Sequence, residues 1–108
     1  MNERAISFGP FRLLVDERLL LDDNRPVRLG SRAFDILVFL IERAGTVVGK
    51  DELIARAWPQ TFVEEANLKI QVSALRRALG DGQGGNRYIV TVAGQGHHLV
   101  APVLCDSR

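Results

Sequence analysis

The sequence has very little cysteine: Cys105 is the one thiol in 108 residues, so no disulfide can form within the chain. This usage suits a reducing compartment. Long hydrophobic runs are lacking as well, because the longest, 36–41, falls far short of the roughly 20 apolar residues of a membrane span. The start, Met1 to Arg4, leads into no apolar signal segment. We therefore expect a cytoplasmic protein with no membrane contact in this segment.

Catalytic signatures are lacking too. Gly94-Gln95-Gly96 is not followed by a helical pattern, as a dinucleotide-binding loop requires, and there is no lysine-containing phosphate loop. His97 and His98 are neighbours on a strand pattern, so they face opposite ways and are poorly placed to share a metal ion. The serines lie in no nucleophile-elbow context: Ser7, Ser31, Ser73 and Ser107. We expect no enzyme, no cofactor, no metal and no small-molecule substrate.

Charge is nearly balanced over the whole chain, with a net charge of +1, but it is not evenly distributed. Residues 1–60 carry nine basic and nine acidic side chains. Residues 66–101 carry four basic side chains against Asp81 alone. A basic patch confined to one segment favours phosphate binding, although many solvated helix faces look similar.

The hydrophobic pattern predicts one α+β domain with a core over about 5–103. Before residue 30, short apolar or alternating segments are separated by turn residues, which predicts a four-stranded antiparallel sheet. The expected strands are Ala5–Phe8, Phe11–Val15, Leu19–Leu21 and Val27–Leu29.

Three helices and a hairpin follow. Phe34, Leu37, Val38 and Ile41 mark the first helix, capped by Gly30 or Ser31. The second begins near Lys50 and ends at Pro59. The third spans about 65–79, and its core stripe is Leu68, Val72, Leu75 and Leu79. Residues 88–92 and 97–101 form the predicted hairpin, in which the Gly-Gln-Gly tip would allow close backbone approach to a duplex.

The third helix presents an unusual outer face. Its core stripe directs Ile70, Ser73 and Arg77 outward, together with Ala66 and Ala74, while Lys69 and Arg76 flank them. On a major-groove helix, an aliphatic side chain contacts thymine methyl groups and flanking cations contact phosphates. Periodicity alone favours the alternative that Ile70 packs beneath a neighbouring loop.

Several stretches between about Phe8 and Val103 resemble the effector domains of OmpR/PhoB-type transcriptional regulators. The resemblance is carried by 34–37 (FDIL), 48–54 (VGKDELI) with Trp58, 63–68 (VEEANL) and 72–79 (VSALRRAL). It continues through 88–92 (YIVTV) and 94–98 (GQGHH), where the family has a Tyr-Ile/Val-x-Thr-Val strand and a Gly-x-Gly-Tyr-Arg wing.

The resemblance implies a winged helix-turn-helix that binds double-stranded DNA sequence-specifically to regulate transcription. The helix at about 65–79 would enter the major groove, and the wing at 88–101 would contact the minor groove or backbone. Loop 58–63 would contact RNA polymerase or the DNA backbone, and tandem dimers on repeated half-sites are a further arrangement. The DNA-facing residues, with Lys69 as a flanking cation, would be Asn67, Ile70, Gln71, Ser73, Ala74, Arg76, Arg77, Thr91, Gln95 and His98.

The sequence also departs from the family pattern. Ser73 and Ala74 occupy positions that are commonly basic, and His97-His98 replaces the Tyr-Arg of the wing. Both changes remove fixed positive charge, which leaves open a second function, a winged-helix module for protein–protein interaction with weak or no DNA binding. No receiver domain precedes Phe8, so we expect residues 1–108 to be the N-terminal piece of a larger regulator.

Overall fold

The computed structural model describes residues 4–85 and 87–107. It contains three helices and two antiparallel sheets, in the α+β order that the sequence predicts. The elements are β1 (Arg4–Phe8), β2 (Phe11–Leu14), β3 (Leu19–Asp22), β4 (Arg25–Val27), α1 (Ser31–Glu42), β5 (Val48–Gly49), α2 (Lys50–Ala57), α3 (Glu65–Leu79), β6 (Ile89–Val92), β7 (Gly96–Leu99) and β8 (Leu104–Ser107).

The first sheet contains the four expected strands, but the predicted bounds of its fourth strand were wrong. A two-residue turn joins β3 to β4, and both turn residues, Asp23 and Asn24, have positive φ, 51° and 68°. Asp and Asn tolerate this left-handed conformation, which a tight type I′ hairpin requires. The strand therefore begins at Arg25 and ends at Val27 rather than running from Val27 to Leu29. Pro26 is accommodated because β4 is an edge strand.

A fifth strand, β8, completes this sheet. It pairs antiparallel with β1, with Ile6 opposite Cys105, and gives the order β4-β3-β2-β1-β8. The sequence pattern did not predict β8, because four residues with no clear alternation carry little local signal. The chain segment after the wing thus returns to the N-terminal strand.

The helices match their predicted positions closely. Gly30 is the N-cap of α1, and the predicted apolar residues of that helix are buried. α2 begins at Lys50, where Glu52 accepts a hydrogen bond from the Gly49 N–H at 3.4 Å. α3 has the predicted bounds, and its core stripe is buried: Leu68, Val72, Leu75 and Leu79. α2 and α3 both pack on α1, which fixes the orientation of the two helices of the helix-turn-helix.

The C-terminal hairpin is shorter than predicted and has a third strand. β6 and β7 pair over Ile89–Val92 and Gly96–Leu99, and the preceding strand β5 adds to β7, giving the order β5-β7-β6. The outer residues expected in the hairpin, 88 and 100–101, lie outside the strands, although the Val100 N–H still donates to the Tyr88 carbonyl at 2.9 Å.

The two glycines of the hairpin tip have different structural roles. Gly94 has φ +76° in the turn, a conformation that favours glycine. Gly96 lies so close to the Val48 carbonyl that a Cβ would overlap it. Gly96 thus allows β5 to pack on the hairpin, and close approach of the hairpin tip to a duplex stays a prediction.

Candidate nucleic-acid interface

The outer face of α3 is exposed. Ile70 is 62% exposed, which excludes the alternative that it packs beneath a loop. Around it, the other predicted contact residues divide into two sets. Asn67, Lys69, Ser73 and Arg77 are exposed, and Gln71, Ala74 and Arg76 are half-buried.

A cleft separates α3 from the wing. Its volume is about 240 Å³, and it brings together four of the sequence-predicted contact residues. Lys69, Ser73 and Arg76 come from the helix and Thr91 from the wing, while Val72 and His97 complete the lining. Small and basic side chains around an open cleft suit a phosphate group, which binds cations and hydroxyl donors.

Arg76 is held at the side of this cleft by two contacts. Its Nε lies 3.5 Å from Asp81 Oδ2, and its Nη2 donates to Thr91 Oγ1 at 2.5 Å. Asp81 also accepts the Tyr88 N–H through Oδ1 at 2.7 Å. The helix end therefore connects to Thr91 of β6 and to Tyr88, which immediately precedes that strand.

The sequence pattern did not indicate a role for Asp81, because this residue follows the helix and approaches Arg76 only through a turn of the backbone. Gly80, with φ +65°, turns the chain at the end of α3, so that the Asp81 N–H donates to the Arg76 carbonyl at 2.9 Å. In a helix end of this kind, the left-handed glycine reverses the backbone, so that the next residue hydrogen-bonds to the last helical turn. The Leu79-Gly80-Asp81 sequence carried that signal.

His97 continues the contacts into the wing. His97 is 5% exposed, and its Nδ1 lies 3.0 Å from Thr91 Oγ1. Burial lowers the pKa of His97, the nearby cations Arg76 and Lys50 lower it further, and Glu65 acts in the opposite direction. Arginine can only donate, so the Thr91 oxygen accepts from Arg76 Nη2, and the same oxygen shares a second hydrogen bond with His97 Nδ1.

We expect His97 to make the fold less stable in mild acid. Its folded-state pKa lies below the unfolded value of about 6.5, so the unfolded chain binds more protons as the pH falls through that window. Urea unfolding between about pH 8 and 5.5 should give a midpoint that is constant at the upper end and falls below about 6.5. His97→Gln should reduce this slope, and His98→Gln is the matched control. An equal slope in His97→Gln and the parent would contradict the assignment.

The remaining wing residues lie outside the cleft. Gln95 is exposed at the hairpin tip, whereas His98 is half-buried and is not among the described residues that line the cleft. His98 Nδ1 is buried and finds no hydrogen-bond partner within residues 4–85 and 87–107. DNA contact by Gln95 or His98 stays a prediction.

Lys50 is a cation that sequence reasoning did not place at the interface. β5 pairs with the wing and leads directly into α2. The first turn of α2 therefore lies at a second hollow beside the cleft, which Lys50, Lys69 and Gly94 line. Glu65 lies between the two lysines, 3.2 Å from Lys50 Nζ and 3.9 Å from Lys69 Nζ. These pairs are partly exposed and weak, so a phosphate can compete for both lysines.

The loop between α2 and α3 forms a second, apolar surface. Phe62 is 91% exposed at the edge of a hollow of about 380 Å³, which Ile54, Trp58 and Val63 also line. A large aromatic side chain held this far in solvent is typical of a protein contact.

Within the part of the chain that the structure describes, no helix combines the length and hydrophobicity that crossing a membrane requires.

Residues 24–99 match the family described as "Transcriptional regulatory protein, C terminal". The transcriptional regulator HilA of Salmonella typhimurium is 33% identical over 107 residues, which are 99% of this chain and 19% of HilA. The transcriptional activator CadC of Escherichia coli is 29% identical over 109 residues, 100% of this chain and 21% of CadC. The chain thus spans about a fifth of the length of these relatives.

Solved structures agree with the fold. The DNA-binding domain of E. coli CadC superposes with a TM-score of 0.84 at 27% identity, covering 96% of this chain and 98% of that one. The DNA-binding domain of Klebsiella pneumoniae RstA, in complex with the RstA box, has a TM-score of 0.76 at 26% identity. That match covers 89% of this chain and 96% of the RstA domain.

Proposed function

We propose that this chain, which belongs to the "Transcriptional regulatory protein, C terminal" family, regulates transcription by binding double-stranded DNA sequence-specifically. In this proposal α3 lies in the major groove and the wing contacts the minor groove or backbone. The observation that carries it is the outer face of α3, where exposed Ile70 lies among small and basic residues beside a cleft that the wing closes. The RstA domain, a relative of the same fold, is found in complex with DNA.

The experiment that tests this function is a salt titration with two duplexes. Fluorescence anisotropy would measure the affinity of the 108-residue chain for a labelled random-sequence duplex and for one enriched from genomic fragments. Phosphate contacts make the logarithm of the binding constant fall linearly with the logarithm of salt concentration, and base contacts favour the enriched duplex. A binding constant that does not depend on salt concentration, or equal affinity for both duplexes, would contradict the proposal.

Ile70→Ala separates base recognition from folding. Because Ile70 is largely exposed, we expect the free energy of unfolding to change by about 0.5 kcal/mol or less. An alanine side chain is too short to reach thymine methyls, so the preference at one or two A·T positions should fall, which a site-selection assay measures. Leu68→Ala is the buried control on the same helix and should cost about 2–5 kcal/mol. Intact sequence preference in Ile70→Ala would exclude a recognition role.

Loop 58–63 supports a second candidate function, protein binding, with RNA polymerase as the proposed partner. The supporting observation is Phe62, exposed beside an apolar hollow that shares no lining residue with the cleft or with the hollow at Lys50. An apolar contact of this kind would persist at salt concentrations that release DNA. Tandem dimerisation and the assignment of residues 1–108 to a larger regulator stay predictions.

A further inference from the structure

Asp81, Arg76, Thr91 and His97 form one continuous chain of polar contacts between the recognition helix and the wing. It begins at the Tyr88 N–H, which donates to Asp81 at 2.7 Å, and passes through Arg76. It ends at His97 Nδ1, 3.0 Å from Thr91 Oγ1. The side chains of Asp81 and His97 are buried and are not among the proposed DNA contacts, whereas Arg76 and Thr91 are proposed contacts that line the cleft.

Arg76 connects Asp81 to Thr91, so these contacts form a network rather than a local ion pair. The Asp81 side chain is 6% exposed, and its second oxygen is fixed by backbone, so it provides a rigid anchor. The Arg76 side chain is 34% exposed and uses Nε and Nη2 for Asp81 and Thr91. Its Nη1 makes no hydrogen bond to any residue within 4–85 and 87–107, which leaves donors for a ligand in the cleft.

We infer that Asp81 is a positioning residue for DNA binding: it holds the Arg76 guanidinium against Thr91 so that both groups are arranged for one backbone phosphate. The inference rests on the function proposed above and deepens it. An arginine fixed before binding loses little further side-chain freedom when the phosphate arrives, so more of the interaction appears as affinity.

Simple electrostatics makes the opposite prediction for the effect of removing Asp81 on DNA affinity. Asp81 is a negative charge beside a site for a negative phosphate, so Coulomb's law alone predicts that removing it tightens DNA binding. A positioning role predicts weaker binding after the same change. The sign of the effect therefore distinguishes the two.

The substitution that tests the inference is Asp81→Asn. The asparagine oxygen still accepts the Tyr88 N–H, but the charge that holds Arg76 is removed. We expect affinity for a labelled random-sequence duplex at fixed salt to fall about 3- to 10-fold. Glu65→Gln is the matched control: it removes one negative charge near Lys50 and Lys69 without touching Arg76, so binding should tighten. Equal or tighter binding by Asp81→Asn would overturn the inference.

A double-mutant cycle distinguishes a positioning role of Asp81 from a general contribution of Asp81 to folding. If Asp81 acts through Arg76, Asp81→Asn should have almost no effect on affinity in an Arg76→Gln background. Additive losses of affinity would overturn the inference. Thermal unfolding of each protein shows that binding is measured on folded chains.

Arg76→Lys provides a second test if Asp81→Asn does not fold. Lysine keeps the positive charge but cannot contact Asp81 and Thr91 through separate nitrogens in a fixed plane. We expect a similar loss of affinity, and undiminished affinity would overturn the inference. Failure of the parent chain to bind any duplex would instead contradict the proposed function, so the two failures are distinguishable.

Discussion

Gly96→Ala is expected to destabilise the fold by about 3 kcal/mol or more, a large fraction of the total stability of a domain of this size. The added Cβ would overlap the Val48 carbonyl oxygen and lie 2.8 Å from its carbon and 3.0 Å from the Gly49 Cα. All three atoms belong to backbone, and Gly49 is paired directly with Gly96 between β5 and β7. Relief therefore requires separating the two strands. Urea unfolding monitored by circular dichroism measures the change.

Gly94→Ala is the control for this prediction. Gly94 has φ +76°, but no atom lies within 4 Å of the position that an added Cβ would occupy, so only backbone strain opposes the substitution. We expect a cost of about 1 kcal/mol. If the two alanine variants were equally stable, close packing of β5 on the hairpin would not be the reason for glycine at position 96.

Gly96 also affects the proposed DNA-binding surface. Since β5 leads directly into α2, strand pairing at Gly96 connects the wing to the first helix of the helix-turn-helix. Loosening this pairing would move Lys50 away from the hollow that it shares with Lys69. A stability defect at Gly96 is thus expected to weaken DNA binding as well.

Local sequence patterns were sufficient to predict α3 and its two faces. Leu68, Val72, Leu75 and Leu79 repeat with helical period and are buried, and the same geometry directs Ile70 away from this core stripe. The interpretation that periodicity alone favoured, packing of Ile70 beneath a loop, was wrong, and the exposure of this side chain agrees instead with the position that the family resemblance implies. The end of the helix was predictable because Gly80 follows its last residue.

Pairings between distant segments were not predictable in the same way. β5 has two residues and β8 has four, and neither has enough length to reveal a period. The same limit applied to Asp81, whose role depends on the turn at Gly80 and on Thr91 in another element. The candidate site was therefore predictable as a list of helix residues, but the contacts that arrange those residues required the structure.

Arg76→Ala combined with Arg77→Ala is expected to weaken DNA binding about tenfold or more for each phosphate that the helix no longer binds. Arg76 lines the cleft, and Arg77 is exposed on the next position of the helix, beside the loop that follows α3. Phosphate contacts carry no sequence information, so random and enriched duplexes should lose affinity alike. The salt dependence should also become less steep, by about 1 in slope for each of these phosphates.

The control for this double variant is Arg12→Ala combined with Arg25→Ala. Both residues are exposed on the N-terminal sheet, so the chain loses the same net charge while α3 keeps all of its side chains. Long-range attraction to DNA should fall equally in both double variants, whereas only the helix variant gives up direct binding to phosphate. A larger loss of affinity and slope in the helix variant therefore measures the direct interaction itself. Equal losses would mean that net charge accounts for the binding and that neither arginine of α3 contacts a phosphate.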